Sequence, residues 1–175
     1  MAESDTNRGS ITRGRSLAAF RWATLMTASL NRRLLQVAAG LSAIHFLTGG
    51  GFYLWRGLAG LSLFTPSPLP IDADPSWANV DYMFRALAGI WFALGVMLAY
   101  TIPSIERQSA WFAMIFLAVF AMGFGRLLSL LEFGAVPGNS MGAMIAELVL
   151  PPVYVLWQRH VARVCAVGQQ AQMAA

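Results

Sequence analysis

Two charges stand inside otherwise apolar stretches in the second half of the sequence. Arg126 belongs to Gly123-Phe124-Gly125-Arg126-Leu127-Leu128-Ser129, and Glu147 to Ile145-Ala146-Glu147-Leu148, just ahead of Pro151-Pro152. An unpaired charge in hydrocarbon costs at least about 2.5–3.5 kcal/mol on insertion scales, so the two are expected to face a bundle interior and each other. Pro151 offers no amide hydrogen to the carbonyl of Glu147, nor Pro152 to that of Leu148, which frees two acceptors beside the carboxylate. Arg126, Arg85, Ser129, a water or a ligand can supply the donors. The chemistry open to such a set is ion pairing, ligand binding, or proton transfer by Glu147 or by His45.

The elements that must position these residues are membrane helices. Hydrophobic residues make up 57% of the 175 and charged ones only 11%, too little polar surface for a soluble domain of this size. All twelve basic residues are arginine, and six of them precede residue 34, so the net charge of +4 describes a tail and not a nucleic-acid-binding face. With the single Cys165, neither an intrachain disulfide nor a paired-cysteine metal site can form.

Residues 1–16 are polar and lack an apolar period, which predicts a disordered tail. The moderately apolar Leu17–Leu30, too short to span, predicts an amphipathic helix lying at the interface. Spans are predicted over about 34–55, 82–100, 110–131 and 142–158, each near the roughly twenty residues needed to cross the hydrocarbon. His45 falls at the midpoint of the first. Gly49-Gly50-Gly51 in the same span predicts a close helix contact or a local distortion. Pro66, Pro68, Pro70 and Pro75 break the connection between spans one and two, whereas the short 104–109 link makes spans two and three a hairpin. Pro137-Gly138-Asn139 marks the reversal into span four. The arginines cluster in the amino-terminal segment, the 104–109 link and the carboxyl-terminal segment, which by the positive-inside rule places these in the cytoplasm and the proline-rich loop outside.

In that topology Arg126 and Glu147 each lie about five residues from the outer end of their span, roughly 7 to 9 Å deep. Arg85 enters from the same side about one turn shallower, free to snorkel outward or to reach toward Glu147. Two readings stand side by side: a structural ion pair that locks two helices, or a ligand site or polar cavity open to the outer face. His45 reads as a hydrogen-bonded helix residue and not a metal ligand, since no further ligands share its depth. The nine methionines and the phenylalanines read as lipid-facing or packing residues. Nucleophile elbows, phosphate loops, His-rich metal motifs and intramembrane protease pairs are all missing from the sequence, and neither half repeats the other.

The combination Arg85-Ala86-Leu87-Ala88-Gly89, Gly125-Arg126-Leu127-Leu128-Ser129 and Glu147 resembles the small bacterial integral membrane proteins grouped as domain of unknown function 4345. The likeness covers about residues 34–160. It implies a four-helix membrane domain in which these arginines and the glutamate recur together, with no assigned reaction. An acidic residue commonly stands two positions before the first arginine in that family. Met83 occupies that place here, and Asp81, four positions before Arg85, is the candidate substitute.

The sequence therefore predicts an all-α protein: a four-transmembrane-helix up-down-up-down bundle over 34–160, an amino-terminal interfacial helix within 1–33, and a cytoplasmic tail over 161–175. The expected setting is the bacterial inner membrane, multi-pass, with both termini cytoplasmic. The expected role is a non-enzymatic accessory or interaction component whose polar cluster of Arg85, Arg126, Ser129, Glu147 and His45 binds a small amphipathic ligand. The rival readings are an oligomeric transporter or proton-linked permease using Glu147, and an intramembrane enzyme acting on a lipid or quinone. No catalytic residue, metal or cofactor is assigned. The expected partners are the bilayer and either a membrane protein or further copies of the chain, not nucleic acid.

Overall fold

The computed structural model describes the backbone of residues 6–61, 63, 76–134 and 140–173, with side chains from residue 29 onward apart from 171 and 172. The helices are α1 (Thr6–Arg56), the single turn α2 (Leu58–Leu61), α3 (Ser76–Thr101), α4 (Ser109–Phe133) and α5 (Ser140–Met173). No strand occurs among the described residues. Met1–Asp5, most of the proline-rich loop and the Pro137-Gly138-Asn139 turn lie outside them.

Four segments are long and apolar enough to cross a membrane: Ser29–Arg56, Ser76–Ser104, Ser109–Phe133 and Ser140–Gln170. All four predicted spans fall inside them, with the observed helices extending beyond the predicted ends. In lipid a helix satisfies its own backbone, so an apolar run continues as helix until something specific stops it. Pro103, in the 3₁₀ turn Ile102–Ser104, ends α3. Gly134 ends α4 with φ +68° and donates its N–H to the Leu130 carbonyl at 2.8 Å. Upstream, α1 is one unbroken helix from Thr6, where the composition predicts an irregular stretch to residue 16 and then a separate interfacial helix. Extending an existing helix by a residue is far cheaper than nucleating one, so a stable span can carry helix outward into a polar segment.

The helices associate as two pairs, α1 with α3 and α4 with α5, joined by lighter seams between α1 and α5 and between α3 and α4. Contacts along the first pair run in opposite order: Arg32 meets Glu106, Gln36 meets Ile102, and Leu54 approaches Gly89. Glycine permits the closest approaches. A Cβ on Gly50 would lie 2.6 Å from the Phe92 nitrogen, and one on Gly95 2.9 Å from the Leu47 nitrogen. The triple glycine is therefore a packing contact made by its middle member, and α1 continues through it as α-helix.

The two pairs are fastened at the end that carries the 104–109 link. Arg32 donates through Nε to Glu106 at 2.8 Å and through Nη2 to the Pro103 carbonyl at 3.0 Å. Gln36 donates to the Ile102 carbonyl at 2.9 Å. Gln158 of α5, only 1% exposed, donates to the Ile105 carbonyl and the Ser109 hydroxyl, both at 2.8 Å. The largest fully buried side chains, among them Leu35, Leu98, Ile105, Phe112 and Val161, gather at this end. Gln158→Leu removes a donor from the buried Ile105 carbonyl, and a stranded buried acceptor costs about 1–3 kcal/mol. Unfolding in mixed micelles of increasing dodecyl sulfate content is expected to show that loss, and an unchanged midpoint would contradict it.

Candidate functional site

Away from the fastened end the pairs leave a cavity of about 310 Å³. Its walls are Ser42, His45 and Phe46 of α1, Trp91 of α3, Phe116 and Val119 of α4, and Ala146, Glu147, Pro151 and Tyr154 of α5. Leu41 and His45 on α1, with Ala143 and Leu150 on α5, are exposed and form its rim, so it opens sideways between these two helices. A second recess of about 370 Å³, between α4 and α5, is lined by apolar residues alone.

The cavity's aromatic wall is fixed by ring contacts. Trp91 stands edge-on to Phe46 at 4.9 Å, and Tyr154 stacks on Phe116 at 4.6 Å with only 14° between the rings. The Tyr154 hydroxyl lies 3.1 Å from both the Ser42 hydroxyl and the Ala38 carbonyl, and Ser42 lies 3.2 Å from that same carbonyl. These contacts hold α5 against α1 just below the opening.

Glu147 is 7% exposed. Its helix can approach α4 because Gly123 sits opposite: a Cβ there would lie 2.7 Å from the Glu147 Cβ and 3.0 Å from its carbonyl carbon. The Arg126 Nε comes to 3.4 Å from Oε2, so the two charges of the sequence do meet. The contact is loose. Arg126 is 43% exposed along its side chain, it does not line the cavity, and Glu147 Oε2 has no hydrogen-bond donor among the described residues.

Of the remaining residues of the predicted cluster, His45 shares the cavity with Glu147, and Arg85 and Ser129 lie elsewhere. Arg85 binds Asp81 at 2.6 Å and donates through Nη1 to the carbonyls of Leu54 and Trp55 at 3.0 and 2.7 Å. It thereby caps the carboxyl end of α1, where a cation also suits the helix dipole. Asp81 completes the corner by accepting from the Leu58 N–H at 2.7 Å. Asp81 thus serves as the partner of Arg85, and Glu147 does not. Ser129 is exposed on α4, and its hydroxyl makes no hydrogen bond among the described residues. His45 is likewise not the hydrogen-bonded residue that the sequence predicts: its ring is exposed, lies 6.2 Å edge-on from Trp91 and makes no hydrogen bond among the described residues. No group of three His, Cys, Asp or Glu side chains is placed to hold a metal among the described residues.

Sequence reading missed Ser42, Trp91 and Tyr154 at the site, and Gln158 at the fastened end. Tyr154 and Gln158 lie four residues apart on α5, one helical face, and that spacing was the available signal.

Four membrane-crossing helices define a multi-pass membrane protein. Residues 34–158, well over half of the chain, match the family described as Domain of unknown function (DUF4345), and the chain belongs to that family. No curated protein and no solved structure matches it.

Proposed function

We propose that this protein is a non-enzymatic accessory component of the bacterial inner membrane that holds a small amphipathic ligand in the cavity beside Glu147. The observation that carries this reading is a buried carboxylate, on the wall of an otherwise largely apolar cavity, with an oxygen that accepts no hydrogen bond among the described residues. Buried polar groups without partners are rare in folded proteins, and a ligand is one way to complete them. In this reading the spans run up-down-up-down with both termini and the 104–109 link in the cytoplasm. Six arginines before residue 34, with Arg107, Arg159 and Arg163, favour that side, against Arg56 on the other. The amino-terminal turns of the continuous α1 extend beyond the inner face, and a membrane protein or another copy of the chain is the partner.

The test is extraction. Protein purified in mild detergent from the membranes in which it is expressed is stripped with organic solvent, and the amphiphiles released are counted by mass spectrometry against a variant with its cavity filled, Ala146→Phe. The reading predicts a small amphiphile near one per chain with the wild type and a loss of most of it with the variant. Equal amounts from both proteins would contradict it.

A further inference from the structure

We propose that the occupant is a lipophilic amine: an amphiphile whose protonated, N–H-bearing head sits on Glu147 and whose apolar body lies along the aromatic wall, entering sideways from the bilayer between α1 and α5. This inference rests on the reading of the cavity as a ligand site and names the ligand's chemistry.

The balance of donors and acceptors carries it. An ionised carboxylate offers two oxygens and about four lone-pair positions and donates nothing. Oε2 is sealed on the Arg126 side, where the guanidinium approaches to 3.4 Å from outside the cavity, so the acceptor that Glu147 offers the cavity is Oε1, which accepts no hydrogen bond among the described residues either. Pro151, on the cavity wall, leaves the Glu147 carbonyl without its amide partner, which adds an acceptor beside the carboxylate. Ser42 and Tyr154 are the cavity's hydroxyls. Their two protons are shared between the Ala38 carbonyl and each other, within 3.1–3.2 Å, so what they present to a ligand is lone pairs. His45 and Trp91 also line the cavity and carry N–H groups, but a head group seated on the Glu147 carboxylate must itself donate. An anionic head would meet the carboxylate with like charge, and an ether or ester would leave it unbonded.

The wall fits the same ligand. Phe46, Trp91, Phe116 and Tyr154 surround the space with ring faces and edges. Such rings attract a cation as well as an alkyl chain. About 310 Å³ is at the small end of ligand cavities, enough for a short amphiphile. The rim residues Leu41 and Leu150 are 65% and 48% exposed, on the flank that a bilayer covers, which gives an apolar approach to a polar seat.

The experiment titrates the full chain, in nanodiscs of phosphatidylcholine at neutral pH, with octylamine, octanol and octanoate, reading heat by calorimetry and stoichiometry by native mass spectrometry. Octylamine is expected to saturate at one per chain with at least tenfold higher affinity than octanol or octanoate. Glu147→Gln is expected to weaken it at least tenfold, and Ala146→Phe, or Ala143→Phe at the rim, to abolish saturable binding. Octanol or octanoate binding as tightly as octylamine, and blocked by Ala146→Phe, would overturn the amine and leave the cavity reading standing. Unchanged octylamine affinity in Glu147→Gln would do the same. If no probe saturates in the wild type, both fall together.

Discussion

Gly50→Ala is expected to destabilise the protein by about 3 kcal/mol, the upper part of the usual range for an overpacked contact. Its new methyl group would fall 2.6 Å from the Phe92 nitrogen, 2.9 Å from the Phe92 Cα and 3.1 Å from the Ala88 carbonyl oxygen. All three atoms are backbone of α3, so no flexible side chain can yield and the two helices must separate. Close approach of this kind through small residues is what holds helices together in lipid, where burial of apolar surface supplies no driving force between them. The neighbouring glycines are internal controls. A Cβ on Gly49 would come no nearer than 4.0 Å to its surroundings, and one on Gly51 no nearer than 3.5 Å, both ordinary contacts. Mixed-micelle unfolding of the three alanine variants should show a large loss at Gly50 and changes within about 0.5 kcal/mol at the other two. Equal losses at all three positions would mean that the crossing is not where the structure puts it.

Gly57→Ala is expected to cost nearly as much, for a different reason. Gly57 has φ +58°, a left-handed conformation that costs a residue with a Cβ about 1–2 kcal/mol. A Cβ there would also strike the Asp81 carboxylate and the Arg85 guanidinium, the pair that caps α1 through the Leu54 and Trp55 carbonyls and holds the Leu58 N–H. Gly134 separates the two effects, because it has φ +68° with nothing within 4 Å of its missing Cβ. Gly134→Ala should show the backbone cost alone, and Gly57→Ala roughly 1–2 kcal/mol more, the scale of losing a helix cap. Identical losses at the two glycines would show that the corner contributes nothing.

The existence and approximate extent of the four apolar helices were legible in the sequence, because membrane-crossing length and composition are local properties. So was the meeting of Arg126 with Glu147, which follows from equal depth on adjacent helices. Asp81, one turn before Arg85, was a candidate partner in the sequence, while Arg85 was also grouped with Glu147, and the structure pairs it with Asp81. What one sequence does not carry is the rotation of each helix about its axis. That rotation turns Arg85 onto the end of α1, leaves Ser129 on an exposed flank, and brings Tyr154 to Ser42 across more than a hundred residues. The cavity belongs to the same class of property. It exists because Arg32, Gln36 and Gln158 fasten one end of the bundle, while Gly50 and Gly123 tighten each pair separately, and no single stretch of sequence records their sum.

If Glu147 faces a ligand cavity and is not chiefly half of a helix clamp, a double-mutant cycle with Arg126 will find the two charges weakly coupled. Arg126→Leu, Glu147→Leu and the pair are unfolded in mixed micelles, and the interaction energy is taken from the departure from additivity. A 3.4 Å contact without a hydrogen bond, made by an arginine side chain that is 43% exposed, predicts a coupling of under about 1 kcal/mol. A coupling of about 3 kcal/mol or more, with the double variant rescuing either single one, is the signature of a buried clamp and would mean that Glu147 serves chiefly to lock α5 to α4.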